Sequence, residues 1–337
     1  MRLYLKNIGM IKEADVKLDG LTVIAGENDT GKSTVGKSLF ALLKANLFVN
    51  NDKFHKKTLK DRLEWIFEKI SKKGLLKQNS LIIFKKDKEI KEKDKEIKAD
   101  FERNEFVSYK FSKKEFIEAI FIETPFIFNI YETLRGVNSA NSILEFEIPY
   151  NYLWWDLFIK LSHKAKYFNN NEELIKKIEN IINGNFKKIE EMGKDKWVFV
   201  RENEIEIENV AMGIKQFGIL YALLYNGYIN PDRILVIDEP EVHLHPKWQI
   251  EYAKILVELV KRDVKVLVTS HSPYMIEALK KYSDFFSLNN KTAFYLSEDN
   301  NIYQLENSNS LTLERIFYKL SEPFDNLDEL EENEKNV

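Results

Sequence analysis

The chain has 337 residues and a mass of 39.8 kDa, with 44% hydrophobic and 31% charged residues, so it can bury a sizeable core and is neither fibrous nor disordered. Lys plus Arg is 51 against 54 for Asp plus Glu, a net charge of −3 that argues against a general polyanion binder. There is no cysteine, which excludes disulfides, thiol catalysis and cysteine-ligated zinc; no apolar run approaches the roughly 18 residues of a membrane span, and Met1–Lys12 lacks a signal-peptide core. The expected address is the cytoplasm, with no membrane partner.

In chain order, Arg2–Ile8, Asp15–Leu18 and Leu21–Ala25 read as strands, punctuated by Gly9 and Gly20. From Lys32 to about Asn46 the spacing predicts a helix, with Val35, Leu39, Phe40, Leu42 and Leu43 crowding one side. Residues 45–196 are lysine-rich and glycine-poor, and predict an inserted α+β arm. Within it Lys86–Lys91 recurs as Lys93–Lys98 seven residues on, but one apolar residue per repeat is too few for a coiled coil. The flanks, Leu81–Phe84 and Phe101–Phe111, suggest strands around a charged, solvated hairpin. Lys114–Ile122, Tyr152–Lys166 and Glu172–Asn183 read as helices.

From 197 the texture changes. Trp197–Arg201 and Glu204–Glu208 alternate like strands, and Gly213–Tyr228, apolar nearly all round, predicts a buried helix. Ile234–Ile237 and Val264–Thr269 are continuous apolar strands of the kind found inside parallel sheets, each followed by a helix, Trp248–Lys261 and Pro273–Lys281. Beyond them come strands Thr292–Leu296 and Asn301–Leu305, a helix Leu311–Leu320, and a tail from Glu322 with seven acidic residues and one basic. Its −6 leaves residues 1–321 mildly basic, and its composition predicts a frayed, solvated end. The division expected is 1–44 and 197–307 as one core, 45–196 as the arm, and 308–337 as a terminal helix and tail.

Gly26-Glu-Asn-Asp-Thr-Gly31-Lys32-Ser33 fits G-x-x-x-x-G-K-[ST], between a predicted strand and a predicted helix. Glycines let such a loop curl so that successive N–H groups, among them those of Asn28, Asp29 and Thr30, point at phosphate oxygens, and the helix N-terminus adds its positive dipole end. Lys32 would reach the β- and γ-phosphates, Ser33 would ligate Mg²⁺, and Thr34 would touch the α-phosphate. Asp238 emerges at the C-terminal end of Ile234–Ile237, where open α/β sheets bind ligands; it would hold Mg²⁺, with Glu239 as general base for the attacking water. His271 follows the second buried strand and would sense the γ-phosphate. His243 and His245 form an H-x-H better suited to a supporting or interface role than to a metal.

These motifs resemble those of ABC-type ATPases of the RecF and SMC kind over residues 2–48 and 197–282. Asp238-Glu-Pro-Glu-Val-His-Leu-His-Pro246 is similar to the Walker B and D-loop of OLD-like and PtuA-like bacterial ATPases, and Thr269-Ser-His271-Ser-Pro273 to their histidine switch. The resemblance implies an α/β P-loop NTPase fold with an ABC-type mixed sheet and flanking helices. ATP and Mg²⁺ would be the cofactors. A homodimer or higher oligomer would form, in which the signature of one subunit, here Met212 and Gly213, caps the ATP held by the other. Met212 stands where the family has serine, which implies slow hydrolysis. No Q-loop is evident, Gln78 being the sole glutamine between P-loop and signature, and the TOPRIM nuclease of OLD proteins has no counterpart after the switch helix. The expected function is an ATPase switch controlling a separate effector, a nuclease or toxin, in antiphage defence. The alternative is a RecF-like repair ATPase whose lysine-rich 53–98 region binds DNA. A transporter subunit ranks third, since both Q-loop and signature serine are missing.

Overall fold

The computed structural model describes residues 1–49, 76–85, 96–102, 105–110, 117–144, 151–166, 171–191 and 194–335. Its centre is an 11-stranded mixed sheet. One half is parallel: β13 (Thr292–Glu298), β3 (Leu21–Ala25), β12 (Lys265–Ser270), β11 (Arg233–Asp238) and β7 (Glu118–Ile122). The other half is antiparallel from β2 (Ile11–Lys17) through β1 (Arg2–Ile8), β4 (Leu76–Lys85) and β5 (Glu96–Glu102) to β6 (Glu105–Lys110), with β14 (Asn301–Tyr303) at the seam. A separate three-stranded sheet comprises β8 (Asn185–Glu191), β9 (Lys194–Val200) and β10 (Glu204–Glu206).

Strand periodicity explains why the central strands are apolar throughout. Leu235 and Ile237 of β11 join one buried cluster while Ile234 and Val236 join the other; Val266 and Val268 of β12 oppose Leu267 in the same way. On the first face lie α2 (Tyr131–Leu144), α3 (Tyr152–Ser162), α4 (Glu172–Ile182), α5 (Met212–Tyr225), α6 (Pro246–Lys261), α7 (Pro273–Phe285) and the start of α8 (Asn309–Lys335). On the second lies α1 (Lys32–Val49), seated through Leu39, Phe40 and Leu43. Gly36 lets α1 approach closely: a Cβ there would stand 2.6 Å from Val236 and 2.9 Å from Phe121.

Three expectations are corrected. Glu118–Ile122, read as part of a helix from Lys114, is a strand, because Ala119 and Phe121 bury against one face and Ile120 and Ile122 against the other; residues 114–116 lie outside the described residues. The stretch 45–196 is not a body apart from the core. It supplies β7 at one edge of the main sheet and β4 to β6 at the other. The repeat's first copy, 86–91, lies outside the described residues, and the second enters β5. The acidic end, expected to fray, is helical as far as Lys335: α8 continues past Pro323, in keeping with its Glu, Leu and Lys content.

Strand β7 carries a carboxylate at each end, and each joins α1 to α3 (Tyr152–Ser162). At its start, Glu118 Oε1 lies 2.8 Å from both Lys44 Nζ of α1 and Lys160 Nζ of α3, and Arg233 Nε donates to Glu118 Oε2 at 3.0 Å. Asp156 of α3 closes the group, 2.6 Å from Lys44 and 2.5 Å from Lys160. Burial raises the Glu118 pKa, but the charges of Lys160 and Lys44 outweigh it and hold the carboxyl well below the usual range. Just past its end, Glu123 pairs with Lys37 of α1 at 2.7 Å and accepts from Trp154 Nε1 of α3 at 2.9 Å.

Candidate nucleotide site

The three central strands β3, β12 and β11 are parallel and adjacent, so their C-terminal ends open on one edge of the sheet. The loop after β3 is the P-loop. Gly26 (φ 155°) and Gly31 (φ 96°) both occupy backbone conformations that side chains disfavour, and a Cβ on Gly26 would meet the Ser297 carbonyl at 2.4 Å. Ser297 Oγ donates to the Thr30 carbonyl at 2.9 Å, and Thr30 Oγ1 to that of Glu27 at 2.9 Å, so β13 buttresses the loop from outside. Asn28 and Asp29 are exposed at its crest, Asp29 with φ 63°. Helix α1 starts at Lys32, and Thr34 N–H donates to the Gly31 carbonyl at 3.0 Å.

Lys32 is buried; its Nζ donates to the Glu27 carbonyl at 2.6 Å and lies 3.8 Å from Glu239 Oε1. Burial lowers its pKa, against the opposing charges of Glu239, Asp238 and Glu241. Asp238, at the end of β11, is also buried, which pushes its carboxyl up; hydrogen bonds from Thr269 of β12 and from Ser33 oppose that shift. A buried carboxylate touching the hydroxyl that opens α1 is a chemically fitting pair for a divalent cation, whose charge would offset the desolvation. Ser33 and Asp238 therefore suit Mg²⁺. Among the described residues no group of three or more His, Asp or Glu is arranged to hold a metal. His245 caps α6, its Nδ1 accepting from Lys247 N–H at 3.3 Å.

Glu239 sits at φ 47°, its N–H held by the Thr269 carbonyl and by Thr269 Oγ1, each at 3.1 Å. His271 Nδ1 lies 3.5 Å from Glu239 Oε1 and 3.5 Å from Glu241 Oε1, near enough for charge attraction, and is buried without a hydrogen-bond partner. The contact with His271 keeps Glu239 below its ordinary carboxylate range, and the same contact raises His271. The P-loop, Asp238, Glu239 and His271 thus share one opening. Met212 and Gly213 open α5. Gly213 is buried, and a Cβ there would meet the His243 carbonyl at 2.9 Å, so α5 abuts the loop that follows Glu239.

Two residues escaped the sequence reading. Glu123 follows Ala119–Ile122 as Asp238 follows Ile234–Ile237, a likeness that could have placed it at a strand end. Its partner Lys37 lies one turn beyond Ser33 and acts electrostatically on Asp238. Glu241 is the second, described below. Gln78 falls on β4, in the antiparallel half of the sheet.

A phosphate loop, a carboxylate strand and an intervening histidine strand on one sheet define a P-loop ATPase. The chain belongs to the family described as "AAA domain, putative AbiEii toxin, Type IV TA system", whose model matches residues 21–277. Over 125 residues it is 28% identical to an uncharacterized protein of Methanocaldococcus jannaschii, covering 36% of this chain and 15% of that one. Over 70 residues it is 29% identical to the Septu protein PtuA of Bacillus thuringiensis, covering 21% and 16%. The match thus spans less than a fifth of the length of either relative. The structure is similar to that of an SMC head bound to the C-winged helix domain of ScpA, with a TM-score of 0.51 at 14% identity, covering 90% of this chain and 96% of that one. The fold is of the SMC-head type. No helix among the described residues is long and apolar enough to cross a membrane.

Proposed function

We propose that this protein is an ATP-hydrolysing switch that closes as a homodimer around ATP and controls a separate effector, a nuclease or toxin, in antiphage defence. The observation that carries the catalytic part is the shared opening of the P-loop, Asp238, Glu239 and His271. In this reading Gly26, Asn28, Asp29, Thr30 and Gly31 surround the phosphates with backbone donors, Thr34 touches the α-phosphate, and Lys32 turns from the Glu27 carbonyl to the β- and γ-oxygens. Ser33 and Asp238 hold Mg²⁺, which when bound neutralises charge on the phosphate oxygens. Glu239 orients the attacking water and accepts its proton. His271 bonds the γ-phosphate, so it meets different partners in the ATP and ADP states. The effector and the defence setting rest on the family and on the 70-residue likeness to PtuA.

The dimer is tested by turnover per protomer against protein concentration. It is expected to rise with concentration and then level; a rate independent of concentration down to nanomolar protein would count against trans capping. Met212→Ser restores one hydroxyl at the start of α5. One added hydrogen bond, about 0.5–1.5 kcal/mol, is expected to raise turnover roughly twofold to tenfold. Duplex DNA is expected to leave the rate unchanged. A several-fold rise that fades with salt would favour the repair-ATPase alternative instead.

A further inference from the structure

Glu241 has no role in the reading above, yet it is the most enclosed carboxylate of the opening, at 5% exposure. It lies on the turn after β11, three residues beyond Asp238. Its Oε1 accepts from Ser270 Oγ at 2.7 Å, from His271 N–H at 2.8 Å and from Ser272 N–H at 3.2 Å, and faces His271 Nδ1 at 3.5 Å. Oε2 is buried without a hydrogen-bond partner. Below it, Ser272 Oγ donates to Gln249 Oε1, and Gln249 Nε2 donates to the Leu244 carbonyl at 2.9 Å. One carboxylate therefore joins the loop bearing Glu239 to the segment bearing His271. A carboxyl group bound by three donors has little rotational freedom, and leaving one oxygen unpaired in the interior costs stability, so packing alone does not account for a carboxylate here.

We propose that Glu241 is a positioning residue for His271: it fixes the backbone of 270–272 and holds the imidazole Nδ1 beside Glu239, so that Nε2 is the ring nitrogen presented to the nucleotide. This rests on the ATPase reading of the site. Glu241→Gln keeps the shape but loses the charge and two of the four acceptor positions.

The test is a cycle of Glu241→Gln, His271→Ala and the double variant, with turnover and KM for ATP measured for each and folding followed by thermal melting. Expected results are a fall in kcat of about tenfold for Glu241→Gln, a KM within about twofold of wild type, and no further fall when it is added to His271→Ala. Losses that multiply in the double variant, or an unchanged kcat, overturn the proposal. Should Glu241→Gln melt early, Ser270→Ala removes one donor and is expected to give a smaller fall with the same non-additivity. The ring ¹⁵N signals of His271 in nucleotide-free protein give an independent readout. They shift in Glu241→Gln if the carboxylate holds the ring, and unchanged signals overturn the proposal. If wild-type protein shows no turnover but the signals shift, the ATPase reading has failed and the positioning has not.

Discussion

Glu239→Gln is expected to bind ATP within about twofold of wild type and to hydrolyse it some 10²–10⁴-fold more slowly, the usual range for loss of a general base. The amide is isosteric, so the turn at φ 47° and its bonds to Thr269 persist while the proton acceptor is lost. With dissociation slowed, the variant should accumulate as an ATP-bound dimer, visible by size-exclusion chromatography with light scattering. Because the contact with His271 keeps Glu239 below its ordinary range, wild-type turnover should hold through neutral pH and fall only as acid protonates the base. A Glu239→Gln protein that turns over ATP normally would remove Glu239 from the mechanism.

Lys32→Ala is the second large effect. Two charge-assisted contacts to phosphate, at about 1.5–3 kcal/mol each, predict a loss of ATP affinity of roughly 10²–10⁴-fold, read by titration of a fluorescent ATP analogue. Stability should change little or rise slightly, because the buried ammonium is already at a disadvantage in the free protein, as its lowered pKa shows. Binding retained within tenfold would mean that the P-loop backbone alone holds the nucleotide. The two variants separate the roles: one abolishes binding, the other only turnover.

The phosphate loop and Asp238 were legible because their chemistry needs particular residues at fixed spacing beside apolar strands. The fold around them was legible where both strand faces are buried, as at Ile234–Ile237 and Val264–Thr269. It failed at Glu118–Ile122, where a five-residue strand follows lysines that suit a helix; only pairing with β11 decides the matter. It failed again at the tail, where charge density suggested a frayed end and helix propensity prevailed as far as Lys335. Glu241 could not be singled out, since its partners Ser270, His271 and Ser272 lie 29 to 31 residues away and meet it only through the parallel pairing of β11 with β12.

The two carboxylates flanking β7 bear on how this protein could be shortened. Joining residue 44 to residue 197 would look like a route to a minimal ATPase, since every nucleotide motif would survive. It would instead strip the sheet of its β7 edge, expose the flank of β11 and take Glu118 and Asp156 away from Lys44. The insertion is therefore a structural wall of the catalytic body, and any truncation has to keep residues 117–162 with it.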